Sequence, residues 1–403
     1  MPMPLEGIRV VDWTIWQQGP VCSAMLAELG AEVIKVEERT GGDPGRGLAR
    51  LSGVDLGSLP NFYFEATNRG KKSLTVDLKK PEGLTIVHEL VAKSDVFVQN
   101  FRQGVAERIG LGYERLRDIN PKLIYASGSG YGPEGPESDF PSFDRLGLAR
   151  SGVMFSAGEP DMGPQAIVEG IADQMGATIL SYGVLAALLA RDRHGIGQKV
   201  DASLLGSMMW LQNLSVSCRC MMGFAIPRQA RAQAINPLWN HYPCGDGKWL
   251  ALGMLQADRY WPAVCRAIGR PELAGDERFA TMAARGGNAP ECIRILEEAF
   301  ATAPRDEWIA RLRAAGDVIV TPVNSVDDLP ADPQVKANRY IVEVEHPQFG
   351  TTSMLGFPIR FSATTTQVRP APEFGQHTEQ ILTEVLGYTW ERVAELKDGE
   401  VIG

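Results

Sequence analysis

The apolar residues first gather into short unbroken runs: IRVVD at 8–12, EVIKVEE at 32–38, LTVDL at 74–78, DVFVQ at 95–99 and KLIYASGSGYG at 122–132. Between them, 21–29 and 81–92 carry helical spacing. Continuous rather than alternating runs suit strands covered on both faces. Their regular exchange with helices predicts a mostly parallel sheet between helical layers. Gly19-Pro20 supplies a turn and a helix-starting proline after the first run. The fold class expected is α/β, with a large Rossmann-like parallel-sheet domain.

Further along, the pattern changes. Residues 166–192 are apolar and rich in small side chains, which predicts a buried helix starting near Asp173. HGIGQKVDASLL at 194–205 reads as turn, strand and more helix, closing a large domain over 1–206. Residues 207–235 lack clear periodicity and read as a linker. A smaller α+β domain is expected over 236–330, where Gly245-Asp246-Gly247 marks a hairpin turn. Helices are expected near 289–301 and 305–315, and a strand at 318–323. Residues 331–403 read as a linker and a return to the large domain, with strands around 341–345 and 352–361 and a helix at 377–386.

The chain has 403 residues, 44% of them hydrophobic, which is enough for more than one core. Its formal charge of -9 disfavours nucleic acid as a partner. The six cysteines form no CxxC pair, and with no signal peptide at the start this predicts free thiols in the cytoplasm. No uninterrupted apolar stretch approaches the length of a membrane span, so no membrane is expected. No metal-binding cluster stands out.

A βαβ start places a cofactor at the carboxyl ends of the strands. The loop there reads TIWQQGPVCS, without the three-glycine spacing that holds a dinucleotide, and no P-loop lysine motif is present. Gln17 and Gln18 offer amides that can donate to an oxyanion or a carboxylate, or simply cap the helix. Arg39, Arg46, Arg50, Lys71, Lys72, Arg102 and Arg108 fall in or near loops beside strands. They suit a phosphorylated ligand, with Phe101 to cover a ring, or an ordinary charged surface. Asp173 at a helix start reads as an N-cap or as a catalytic carboxylate.

Seven stretches stand out together: VVDWTIWQQGP at 10–20, LGAEVIKVE at 29–37, GDPGR at 42–46, NRGKKSLTVDLKKPEG at 68–83, DVFVQNFRQGVAERIGL at 95–111, LIYASGSGYGPEGP at 123–136 and HGIGQKVDAS at 194–203. In order and spacing they resemble the class III CoA-transferases, the family of formyl-CoA and carnitine CoA-transferases. The resemblance runs along essentially the whole chain. It implies that Asp173 is the nucleophile that forms covalent intermediates with acyl-CoA, and that Gln17 lies near the reacting acyl group. It also implies that Arg39, Lys72, Asn100, Phe101 and Arg108 contact the nucleotide and pantetheine of coenzyme A, with Glu134 a weaker catalytic candidate. No prosthetic group or metal is implied. CoA thioesters are substrates, a carboxylate is the acceptor, and two chains interlock as a homodimer.

The sequence departs from relatives at two places. The racemases of the superfamily carry HDxNYxxLSG where this chain has FDRLGLARSG at 143–152. Phe143 takes the place of a base histidine and cannot shuttle a proton, so acyl-CoA racemisation is the lesser alternative. Asp144 reads as a structural hydrogen-bonder. The glycine-rich lid of formyl-CoA-type members is missing from YPCGDGKWLALGMLQAD, which argues against formate or oxalate. Trp239, His241, Tyr242 and Met254 line an acyl pocket or pack the small domain. No GxSxG elbow supports a hydrolase, and a non-catalytic scaffold is the alternative of a different class.

Overall fold

In the computed structural model, which describes residues 1–48, 50–51, 54–55 and 61–403, the apolar runs become one six-stranded sheet. Its strands are β1 (Arg9–Trp13), β2 (Glu32–Glu37), β3 (Lys72–Thr75), β4 (Val96–Gln99), β5 (Ile124–Ser129) and β6 (Gln198–Ser203). The order is β3-β2-β1-β4-β5-β6, and every neighbouring pair is parallel. Successive residues feed opposite faces. Val11, Ile34, Leu74, Phe97 and Tyr125 join one core, while Val10, Val33, Val96, Val98 and Ala126 join the other. Both faces are covered, so the runs had no need to alternate.

Helix α1 (Gln18–Glu28) and helix α5 (Ile171–His194) cover the second face. Among the helices between them are α2 (Phe62–Asn68), α3 (Pro81–Ala92) and α4 (Asp144–Ser151). Against the expectation of no such segment, α5 is long and apolar enough to cross a membrane by length and composition. Its Ala177, Leu180, Val184 and Leu188 pack into the sheet core, which accounts for that composition. The C-terminal segment returns to the first face: Ile381, Leu382, Val393 and Leu396 join its core, and Val76 bridges Ile402.

Two compact units emerge, one of Met1–Phe155, Ala166–Ala225 and Arg339–Gly403, the other of Ser156–Gln165 and Ile226–Asn338. Residues 207–211 and 213–222, in the stretch expected to be linker, belong to helices Leu204–Leu211 and Asn213–Met222. The second of these buries no residue of its own unit. The smaller unit holds a three-stranded antiparallel sheet of Trp239–Pro243, Trp249–Gly253 and Val320–Val323, with helices Ala257–Ala267, Ala289–Phe300 and Arg305–Ala314. Its first two strands meet at the expected turn, where Gly247 adopts φ 77°. Tyr242 and Met254 are buried in that unit's core, whereas Trp239 is exposed.

Candidate active site

The strand order reverses direction between β1 and β4, the position where open α/β sheets bind ligands beyond their carboxyl ends. A cavity of about 400 Å³ opens there, lined by the loops after β1, β4 and β5 and by Asp173. Its shape begins with the segment Thr14–Gln17. Trp16 is left-handed at φ 65°, a conformation that a bulky residue holds only when its neighbours enforce it. Asn100 supplies part of that force. Its Oδ1 accepts from the Ile15 N–H at 2.9 Å, and its Nδ2 donates to the Ile15 carbonyl at 2.8 Å. Asp43 supplies the rest by accepting from the Trp16 N–H at 3.2 Å. The Trp16 ring meets Phe143 edge-on, with centroids 6.2 Å apart.

Below this loop lie four buried ionisable groups in two pairs. Lys71 Nζ reaches Asp12 at 2.7 Å, and Lys35 Nζ reaches Asp43 at 2.8 Å. Lys71 also donates to the Pro20 carbonyl and to Asn68, Lys35 donates to the Thr14 carbonyl, and Ser23 donates to Asp12. Burial works against ionised Asp12, but Lys71 and Lys35 more than offset it and hold its carboxyl below the usual range. Burial pulls the Lys71 ammonium down to about 8, against the attraction of Asp12. These charges hold the loop from beneath by satisfying its backbone carbonyls.

Asp173 sits in the first turn of α5, where free N–H groups would ordinarily stabilise a carboxylate. Asp144, at the start of α4, has already taken them. It accepts from the N–H groups of Gly170 at 3.0 Å, Ala172 at 2.7 Å and Asp173 at 3.2 Å. Among the described residues no hydrogen bond reaches the Asp173 carboxylate. Burial and then the charge of Asp144 push its pKa up to about 7. The result is a basic, partnerless carboxylate on a cavity wall, the form that attacks a carbonyl most readily. Tyr63 lies in the field of Asp173, Asp43 and Asp144, and burial with these charges keeps its phenol protonated.

Gln17 reaches across to the same helix start, its Nε2 donating to the Gly170 carbonyl at 3.2 Å. Gly170 has φ 78°, and a Cβ there would come within 2.7 Å of that amide, so glycine permits the approach. Gln17, Asn100, Phe101, Phe143 and Asp173 therefore share one cavity. Phe101 stacks on Trp13 with centroids 4.0 Å apart.

The remaining expected residues lie elsewhere. Arg39 follows β2 at the carboxyl edge and faces Glu400 at 3.7 Å. Arg108 ends the short helix Val105–Arg108, whose first three residues line the cavity, but is not itself part of the wall. Lys72 begins β3, at the opposite, amino edge of the sheet, paired with Glu32 at 2.6 Å. Glu134 is exposed and outside the cavity. Two cations do line it: Arg102, already singled out as a loop cation, and Lys199, which pairs with Asp201 at 3.0 Å. Lys199 lies near the start of β6, so nothing local in HGIGQKVDAS marks it as a cavity residue.

Comparison with known proteins gives the family. CoA-transferase family III matches residues 5–378. Succinyl-CoA–D-citramalate CoA-transferase of Chloroflexus aurantiacus is 36% identical, covering 100% of this chain and 98% of that one. Succinyl-CoA:glutarate CoA-transferase of Mus musculus is 35% identical, covering 96% and 87%. The crystal structure of a CAIB/BAIF family protein from Brucella suis superimposes with a TM-score of 0.85 at 33% identity, covering 96% of this chain and 100% of that one. The chain belongs to CoA-transferase family III and is an enzyme of that class.

Proposed function

We propose that this enzyme moves coenzyme A from an acyl-CoA to a free carboxylic acid by way of Asp173. The observation that carries the reading is the partnerless Asp173 carboxylate on the wall of the cavity, with its pKa near 7. An Asp173 oxygen attacks the thioester carbonyl, and the carbon–sulfur bond breaks to release CoA thiolate and leave a mixed anhydride. The thiolate attacks the Asp173 carbonyl carbon and expels the donor's carboxylate, leaving an aspartyl-CoA thioester. The acceptor carboxylate then displaces thiolate to form a second anhydride. The thiolate attacks the acceptor's carbonyl, giving the new acyl-CoA and free Asp173. No net proton is taken up and no redox change occurs, so the steps require no prosthetic group.

Gln17 is placed to donate to oxygens of the anhydride. Asn100 and Phe101 offer amide and ring contacts to pantetheine. Arg102, Arg39 and Arg108 supply positive charge for the CoA phosphates along the carboxyl edge. Lys72 has no part in this reading, because it lies at the other edge of the sheet. The names of two relatives pair succinyl-CoA with oxygen-rich acids, so short dicarboxylic and hydroxy acids head the panel of acceptors.

The working form proposed is an interlocked homodimer in the cytoplasm. The described cysteines are free, and Leu214 (82% exposed), Met221 (81%) and Trp210 (65%) give the larger unit an apolar surface that a second chain would cover. Light scattering should give the mass of two chains. Incubation with acyl-CoA followed by hydroxylamine should convert Asp173 to its hydroxamate, visible by peptide mass. Turnover with no modification at Asp173 would sink the covalent scheme.

A further inference from the structure

Gln18 has no role in the steps above, yet its placement is unusual. The residue is 5% exposed and lines the cavity, but its Nε2 has no hydrogen-bond partner among the described residues. A buried amide N–H without an acceptor is destabilising, and folded proteins rarely keep one without use. Two glycines make the slot that holds this amide. A Cβ on Gly128 of β5 would stand 2.8 Å from Gln18 Oε1, and a Cβ on Gly176 of α5 would stand 2.8 Å from Gln18 Nε2. A Cβ at either place would force the Gln18 amide to shift.

Gly176 lies three residues after Asp173 on α5, so the two share one helix face about 5–6 Å apart. The amide of Gln18 therefore sits about one helical turn along α5 from the nucleophile. An acyl chain bound with its carbonyl at Asp173 and running along α5 would reach that distance with its second to fourth carbons. A half-turn about the terminal side-chain bond of Gln18 exchanges Oε1 and Nε2, setting the donor beside Gly128 where the oxygen now stands without moving the backbone.

We infer that Gln18 is a specificity-determining residue, whose amide donates to an oxygen substituent on the acyl chain beyond the thioester carbonyl. The ligand class is a short acyl-CoA bearing a hydroxyl, keto or carboxylate oxygen. A plain alkyl chain of equal length leaves the donor unsatisfied and is rejected for that reason. The inference rests on the acyl-CoA reading of the cavity but not on the covalent chemistry.

The test is therefore made on binding, in Asp173→Asn protein that cannot turn over. Calorimetry compares succinyl-CoA and 3-hydroxybutyryl-CoA with butyryl-CoA, before and after Gln18→Met, which keeps the side chain's length and loses both polar ends. With Gln18 present, the oxygenated ligands should bind roughly ten- to hundredfold tighter than butyryl-CoA, and Gln18→Met should erase most of that ratio. A ratio near one with Gln18 present overturns the inference, as does a ratio that Gln18→Met leaves intact. Equal weakening of all three ligands also overturns it, since that is the mark of a general packing or oxyanion role. If Gln18→Met fails to fold, Gln18→Glu takes its place: the carboxylate keeps the side chain's size, loses the donor and should abolish the preference for succinyl-CoA, and a preference left intact overturns the inference. Failure of the transfer scheme shows separately, as absence of turnover in the unmodified enzyme.

Discussion

Beneath the Thr14–Gln17 loop, Asp12, Lys35, Asp43 and Lys71 are all buried and all paired, each cation within 2.8 Å of a carboxylate. On the cavity wall, Asp173 is also withdrawn from water, but its neighbour Asp144 has the same sign and takes the helix N–H groups first. The floor uses charge to fix backbone geometry, and pairing keeps it inert. The wall leaves one carboxylate unsatisfied, and that imbalance raises its basicity. If the comparison is right, damage to the floor should register mainly as lost stability, and damage to the wall mainly as lost rate.

The largest effect should come from Asp173→Asn. An amide cannot form the anhydride, so transfer should fall by roughly 10⁴-fold or more. Fold and acyl-CoA binding should persist, as judged by circular dichroism and calorimetry. Residual transfer within tenfold of the parent enzyme would remove Asp173 from the chemistry.

Lys71→Met tests the floor. It strands Asp12 as a buried, unpaired charge, which should destabilise the protein by about 3–5 kcal/mol. The melting temperature should fall sharply. Pairing the change with Asp12→Leu should recover much of the loss, because both charges are then gone. A Lys71→Met protein that melts like the parent would show that the floor is not held by this pair.

The contrast between the two regions also shows what could be read from the chain. The parallel sheet was legible because strands buried on both faces leave continuous apolar runs, as in IRVVD and DVFVQ. Asp173 stood out as a helix start, but nothing local separates a capping carboxylate from a catalytic one. The distinction is made by Asp144, 29 residues earlier in the chain, which performs the capping. A lysine next to a strand looks alike at either end, and only sheet direction shows that Lys72 begins β3. Helix Asn213–Met222 reads as linker because it is short and none of its residues is buried. The left-handed Trp16 has no local signature at all. It exists because Asn100 and Asp43, both distant in sequence, grip the loop.

The pH dependence of the wall has a definite sign. In the unfolded chain Asp173 ionises near 3.8, and in the fold near 7. The fold therefore prefers the protonated form. Its burial has no effect on stability below about pH 4, grows more destabilising through the window between those values, and is fully destabilising above 7. Asp173→Asn should melt like the parent near pH 4 and higher than the parent at pH 8, by up to about 4 kcal/mol. Transfer itself should run the other way. It should rise with pH through about 7 as the nucleophile ionises. Equal melting temperatures of the two proteins at pH 8 would mean that Asp173 is better solvated than its position implies.

The smallest effect is the most selective. Asp144→Asn keeps one oxygen to accept from the Ala172 and Asp173 N–H groups but removes the charge and the second acceptor, which now serves Gly170. Asparagine is about as good a helix cap as aspartate, so the stability change should be only about 1 kcal/mol. The charge facing Asp173 is gone, however, and the midpoint of its pH–rate profile should move to lower pH. It should not fall to the ordinary carboxylate range, because burial is the larger cause and remains. A midpoint that does not move would show that Asp144 raises Asp173 only by occupying the N–H groups. A midpoint that moves would assign Asp144 two separate duties at one helix start, capping the backbone with its oxygens and activating Asp173 with its charge.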